Sequence, residues 1–246
     1  MKMNNSIDIV IPLGKGSIWG DDEELRYALR GFVRHLSGIR NVVIVGELPS
    51  WVTGVIHIPC KDKQGHEWRD LNIFNKVMLA CNDDRVSDDF LFCNDDHFLN
   101  ADFEAGAFPY HYRELDMIET IHKAVKQTSW RTCIQNTRDY LEGNGLDVKM
   151  FDTHCPILYN KYRFMLLNRV DWAKPYGYGI KSLYANINRI EGQYHPDNKI
   201  FPSEQNTKRL IEKIQSAPYF STSSLVPQPQ KEIIMNLYPS PSPYEK

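Results

Sequence analysis

Two short β-branched runs with a helical pattern between them limit this chain more than any other feature. Ile7-Asp8-Ile9-Val10-Ile11-Pro12 and Asn41-Val42-Val43-Ile44-Val45-Gly46 each read as a strand buried on both faces. Between them, Leu25, Leu29, Phe32, Val33 and Leu36 recur at helical spacing. Asp21 or Asp22 is placed to cap that helix, and Ser37-Gly38 to end it. A strand, a helix and a strand on short connections make a parallel unit covered by helices. Ile56-His57-Ile58-Pro59 adds a third, shorter strand. The spacing predicts a helix over 70–81, with Ile73, Val77 and Ala80 inward, and a strand over 89–93. The expected fold class is α/β, with a mostly parallel central sheet flanked by helices.

After residue 105 the pattern loosens. Helices are expected over 114–128, 130–141, 162–170, 180–190, 207–216 and 233–237, and an extended segment over 151–159. Residues 221–229 turn to Ser, Pro and Gln, and the Pro-Ser tail 239–246 reads as exposed. No internal repeat or clear boundary interrupts the chain. It is expected to be one unit over 1–246, with a nucleotide-binding half (1–105) and an irregular, helical acceptor-binding half carrying the tail (106–246). The hydrophobic content, 42% of 246 residues, is enough for such a core.

Lys plus Arg number 29 and Asp plus Glu 31, so no basic excess marks nucleic acid as the default partner. Five cysteines without C-x-x-C spacing argue against structural zinc and for a reducing compartment. Residues 1–7 are polar, and no apolar run approaches the ~20 residues of a membrane span. The expectation is a cytoplasmic protein whose only membrane contact is peripheral.

The strongest chemical signal is Asn94-Asp95-Asp96-His97, delivered by the apolar run Phe90-Leu91-Phe92-Cys93. Ligands of open α/β sheets bind at that end of the strands. Two adjacent carboxylates there repel unless something offsets the charge. A Mn or Mg ion bridging to a diphosphate does this. The plainer reading is a solvated turn, since Asn and Asp are common turn residues. The loop Leu13-Gly14-Lys15-Gly16-Ser17 offers backbone N–H groups and a cation to phosphates, without P-loop or dinucleotide-fingerprint spacing. Trp19 beside it can stack on a base or simply pack. Arg26 and Arg30 lie one helical turn apart, as do Asn72 and Lys76, and with Arg69 they can reach phosphates. The competing reading is surface ion pairing with Asp21, Asp22, Glu23 and Asp70. His154, in Asp152-Thr153-His154-Cys155-Pro156, suits a late metal ligand or a general base, or a structural histidine. His195-Pro196-Asp197 is a weaker pattern of the same kind.

The blocks Glu24-Leu25-Arg26-Tyr27-Ala28-Leu29-Arg30, Ile39-Arg40-Asn41-Val42-Val43-Ile44-Val45, Pro49-Ser50-Trp51 and Phe92-Cys93-Asn94-Asp95-Asp96-His97-Phe98-Leu99 together resemble the Stealth family. Its members are bacterial capsular-polysaccharide sugar-phosphotransferases, related to the lysosomal-enzyme N-acetylglucosamine-phosphotransferase. His154, Pro156 and Lys161 look like its third block. The resemblance spans roughly residues 7 to 165 and implies a GT-A-like fold for nucleotide-sugar donors. It implies that Asp95 and Asp96 lie near metal and diphosphate, and gives roles to Arg26 and His154. The family's opening block carries aromatic and acidic residues where this chain reads Ile11-Pro12-Leu13-Gly14-Lys15-Gly16-Ser17. Three functions stay open. The first is metal-dependent glycosyl transfer, with Asn94 on the donor ribose and Asp96, His97 or His154 as base. The second is sugar-1-phosphate transfer of the Stealth type. The third is a non-catalytic nucleotide- or carbohydrate-binding module. The acceptor can be a glycan, a lipid-linked sugar, a protein or a modified nucleic-acid base.

Overall fold

The computed structural model describes residues 6–14, 19–63, 65, 68–113, 117, 119, 121, 128–204, 207–223 and 225–246. The β-branched runs form β1 (Ile7–Leu13) and β3 (Ile39–Gly46), which pair in parallel. The chain steps outward from β3 to β4 (Ile56–Ile58), also parallel. It then returns through a helix, α2 (Arg69–Cys81), to β5 (Asp89–Phe92) on the other side of β1. β9 (Ile157–Asn160) closes the far edge antiparallel, giving the order β4-β3-β1-β5-β9. Strand order therefore reverses direction between β1 and β5, the kind of switch point beyond whose strand C-termini open α/β sheets bind ligands.

Alternation along the strands divides the core. Ile9, Ile11, Ile44 and Leu91 face the first helix, α1 (Glu23–His35), meeting Leu25, Leu29 and Phe32. Val10, Val43, Val45, Phe90 and Phe92 face α2 and meet Phe74, Val77 and Ala80. Each such large side chain, when fully buried, contributes about 1.5–3 kcal/mol.

A smaller sheet follows the end of β5. β6 (His97–Leu99) follows β5 almost directly and pairs antiparallel with β12 (Tyr219–Thr222), which pairs in parallel with β11 (Lys199–Ile200). Two minor pairings join β2 (Leu36–Ser37) to β7 (Phe103–Glu104) and β8 (His111–Tyr112) to β10 (Gln193–Tyr194). The later helices are α3 (Ser129–Gly143), α4 (Lys161–Met165), α5 (Ile180–Ile187), α6 (Thr207–Ser216) and α7 (Gln228–Leu237). The expected mostly parallel, helix-flanked α/β architecture is present.

Several local expectations are corrected. Asp22 precedes α1 in the left-handed region (φ 52°) and makes no side-chain cap bond. The chain leaves α1 at His35, because Leu36–Ser37 pairs with β7, before Gly38. On α2 the buried face carries Asn72, Phe74, Lys76, Val77, Ala80 and Cys81, with Ile73 only half-buried. Only 157–160 of the expected extended segment 151–159 and its neighbour is strand, because β9 needs the edge of β5. The segment read as Ser-, Pro- and Gln-rich begins with buried β12, and α7 starts at Gln228, with a proline in its first turn. The tail is docked through a few residues, while Pro239, Ser240, Pro241, Pro243 and Lys246 are exposed as expected. The Thr53 N–H donates to the Tyr244 carbonyl (2.9 Å) and the Lys246 N–H to the Trp51 carbonyl (2.8 Å). Most of the helix expected over 114–128 lies outside the described residues. The five cysteines are free thiols, and no helix among the described residues is long and apolar enough to cross a membrane.

Candidate active site

The acidic turn lies where the two sheets meet. The Cys93 N–H donates to the Val10 carbonyl (3.0 Å), extending the parallel ladder by one residue beyond β5. The chain then turns at Asp95 and Asp96 and re-enters the smaller sheet at His97. The Asn94 N–H closes the turn by donating to His97 Nδ1 (3.1 Å). That bond takes the lone pair of Nδ1, so the ring proton sits on Nε2. His97 is 1% exposed, and Nε2 has no hydrogen-bond partner among the described residues. Burial holds its imidazole well below the ordinary range, helped by the charges of Lys181 and Lys199. A neutral ring with its lone pair occupied is a donor. The expectation that His97 acts as the base is therefore replaced by that of a buried N–H group.

Asp95 sits in negative surroundings. Burial, then Asp96, Glu24 and Asp22, hold its carboxyl well above the usual carboxylate range. Asp22 Oδ1 is buried without a partner among the described residues. A divalent cation suits such a place, since it relieves the repulsion that burial magnifies. Among the described residues, no three His, Cys, Asp or Glu side chains converge as a ready-made metal cage. Asp95 and Asp96 thus fit a Mn or Mg ion whose other ligands are waters and substrate oxygens, the usual mode for Mg.

The C-terminal half brings a second group to the turn. His154 Nδ1 lies 2.8 Å and 2.9 Å from the two carboxylate oxygens of Asp197. Lys199 Nζ lies 3.0 Å from His154 Nε2. The ammonium can only donate, so Nε2 accepts and Nδ1–H donates to Asp197. Arg113 Nη1 backs Asp197 at 3.6 Å. Burial pushes the Asp197 carboxyl up, but the hydrogen bonds from His154 and the charge of Arg113 outweigh it and bring it to about 2. Burial pushes the Lys199 ammonium down, opposed chiefly by Asp96, while Arg69 and Arg113 add to the lowering. Lys181 fixes the strap that carries His154, donating to the Thr153 and Cys155 carbonyls at 2.7 Å each. With both ring nitrogens engaged, His154 is not open as a metal ligand or base. It holds Lys199, whose ammonium lies within reach of the charge of Asp96.

The other expected residues divide. The Leu13 carbonyl, at the end of β1, accepts from Lys76 Nζ (2.7 Å), which also pairs with Asp62 (2.6 Å). Lys76 is 4% exposed and thus ties β1 to α2. Asn72 is buried one turn earlier, Arg69 is exposed at the start of α2, and Gly14 lies half-buried just past the end of β1. Lys15, Gly16 and Ser17 lie outside the described residues. Arg26, expected at the diphosphate, instead pairs with Glu245 of the tail (2.9 Å) and lies over the Trp51 ring (4.1 Å). Arg30 joins it on Glu245 (2.7 Å). Their partner is the tail and not Asp21, Asp22 or Glu23. Trp19 packs, stacking against Phe98 with ring centroids 6.3 Å apart. His195 stacks on His111 (4.6 Å) away from the carboxylates, so only Asp197 of the His195-Pro196-Asp197 pattern enters the site.

Sequence reasoning missed Lys199, Lys181 and Arg113. Isolated cations in an irregular region give no spacing signal. The His195-Pro196-Asp197 pattern was the only pointer to that segment.

No family model matches the chain, and no curated protein matches it. Among solved structures it is similar to a glycosyltransferase involved in the glycosylation of the major capsid of PBCV-1. The identity is 10% and the TM-score 0.44, over 95% of this chain and 100% of that one. It is also similar to the apo-form glycosyltransferase GlyE of Streptococcus pneumoniae TIGR4. There the identity is 10% and the TM-score 0.38, over 90% of this chain and 55% of that one.

Proposed function

We propose that the chain is a glycosyltransferase that takes a sugar from a nucleotide-sugar donor and moves it to an acceptor hydroxyl, with a Mn or Mg ion at Asp95 and Asp96. One observation carries this reading. A half-buried pair of carboxylates, one with a strongly raised proton affinity, stands at the switch point of a mostly parallel sheet, within reach of the charge of a lysine held in place from the opposite half. The cation would neutralise charge on the departing diphosphate. Asp95 and Asp96 hold the cation, Asn94 and Gly14 line the donor side, and Asp96 is the acceptor's base when the cation leaves one of its oxygens open. The 1–105 half then binds the nucleotide, and the 106–246 half presents the acceptor, whose identity among glycan, lipid-linked sugar, protein and modified base stays open.

A panel of nucleotide sugars incubated with protein and Mn tests this by product analysis. Release of a nucleoside diphosphate is expected. Release of a nucleoside monophosphate moves the protein to sugar-1-phosphate transfer, the reading that the Stealth-like blocks favour. No turnover with any donor, with Asp96→Asn indistinguishable from wild type in cells, leaves only a binding module.

A further inference from the structure

One rung of the smaller sheet gathers hydrogen-bond donors that the donor-and-cation reading does not use. Lys199 on β11 is register partner to Ser221 on β12, and Ser221 is register partner to His97 on β6. Register partners project from the same face of a sheet. This face therefore presents an ammonium, a hydroxyl and an imidazole N–H side by side. Ser221 is 0% exposed and His97 1% exposed, and neither Ser221 Oγ nor His97 Nε2 has a hydrogen-bond partner among the described residues. Buried polar atoms of this kind are seldom left unpaired in a native protein.

The ammonium beside them is held with care. His154 Nε2 accepts one of its three N–H groups at 3.0 Å, which leaves two for something else. Asp197 fixes His154, and Arg113 backs Asp197. Arg69 and Arg113 are also near enough to Lys199 for their charges to act on it. Of the carboxylates here, Asp197 is matched by His154 and Arg113, and Asp96 belongs to the cation site. What faces Lys199, Ser221 and His97 is thus short of acceptors and rich in positive charge. A tetrahedral oxyanion supplies several acceptor oxygens and negative charge together.

We infer that Lys199, Ser221 and His97 form a phosphoryl-binding subsite beside the acidic turn, and that Asp197–His154, backed by Arg113, is the positioning pair that aims Lys199 into it. The inference rests on the proposed function for its meaning but not for its test. The phosphoryl group can come from the donor diphosphate or from a phosphate carried by the acceptor. The chemistry recognised is the same.

Inorganic phosphate and inorganic pyrophosphate, titrated calorimetrically into the full chain without metal, are the probes. Wild type is expected to bind at least one of them. Lys199→Gln should weaken that binding at least tenfold while keeping the wild-type melting temperature within a few degrees. Asp197→Asn should weaken it several-fold by loosening His154, which a surface charge lost elsewhere would not do. Arg34→Gln, remote from the cleft, is the control and should bind normally. A titration in the presence of saturating Mn and a nucleoside diphosphate separates the sources. Competition assigns the subsite to the donor, and simultaneous binding assigns it to the acceptor. Wild type that binds neither probe, or Lys199→Gln that binds as tightly as wild type, overturns the inference. If nucleotides bind with Mn while phosphate binding ignores Lys199, the subsite fails and the donor reading stands. If phosphate binding needs Lys199 but no nucleotide binds, the reverse holds.

Discussion

Replacing Glu245 with Gln tests how the docked tail stabilises the fold. Glu245 accepts from Arg30 Nε (2.8 Å) and Nη2 (2.7 Å), from Arg26 Nη1 (2.9 Å) and from the Ser242 N–H (2.8 Å). Its side chain is only 5% exposed. Burial pushes the carboxyl up, but the bonds from Arg30, Ser242 and Arg26 prevail and bring it from 4.5 to about 2. A carboxyl lowered by that much contributes roughly 3 kcal/mol at neutral pH. The amide keeps some hydrogen bonds and loses the charge, so the expected loss at pH 7 is roughly 2–3 kcal/mol. In a chain of this size that lowers the melting temperature by roughly 4–12 °C. The folded-state value lies below the unfolded one. The contribution is therefore complete above pH 4.5 and fades as pH falls toward 2. Thermal unfolding of both proteins from pH 7 to pH 3 checks this. The gap should be widest at neutral pH and narrow below 4.5. A gap under about 0.5 kcal/mol at pH 7, or one that does not change with pH, refutes the argument and leaves the tail as a passive strand.

Other parts of the structure give separate expectations. Gly46 has φ 130°, and a Cβ there would overlap the Leu13 carbonyl oxygen, so Gly46→Ala should lower stability by about 3 kcal/mol or more, read by denaturant unfolding. Lys76→Met removes a buried ammonium from the Leu13 carbonyl and Asp62, and should cost about 2–4 kcal/mol in the same assay. His111 accepts from the Tyr219 hydroxyl (2.6 Å), and burial, with His195 nearby, lowers its proton affinity to about 4. Its folded value lies below the unfolded 6.5, so stability should fall as pH drops from 6.5 toward 4, and His111→Phe should flatten that part of the profile.

The central sheet was legible because its signals are local. The β-branched runs of β1 and β3, and the Phe-Leu-Phe-Cys run of β5, announce strands without help from tertiary context. The acidic turn was legible for the same reason, since it follows one of those runs directly. What failed depends on distant partners. β12 has only four residues and becomes a strand because β6 and β11 lie on either side of it. The anchoring of the tail was not legible, because Pro and Ser give no sign that Glu245 meets Arg26 and Arg30 more than two hundred positions away in sequence. Val77 and Ala80 of α2 face the core as expected, with Ile73 packed half-buried against it, whereas the burial of Asn72 and Lys76 is of a kind that hydrophobic spacing does not register. Lys199 was invisible because its role comes entirely from His154 and Asp197.

Asp95 and Asp96, on the proposed function, bind a nucleotide through a divalent cation. Calorimetric titration of nucleoside diphosphates into wild type and Asp96→Asn, with and without Mn, tests it most directly. One nucleoside diphosphate should bind wild type with Mn and lose about a hundredfold in affinity, roughly 2.7 kcal/mol, either when Mn is withheld or when Asp96 is replaced. Binding of equal strength in all four conditions, or no binding to wild type at all, contradicts it.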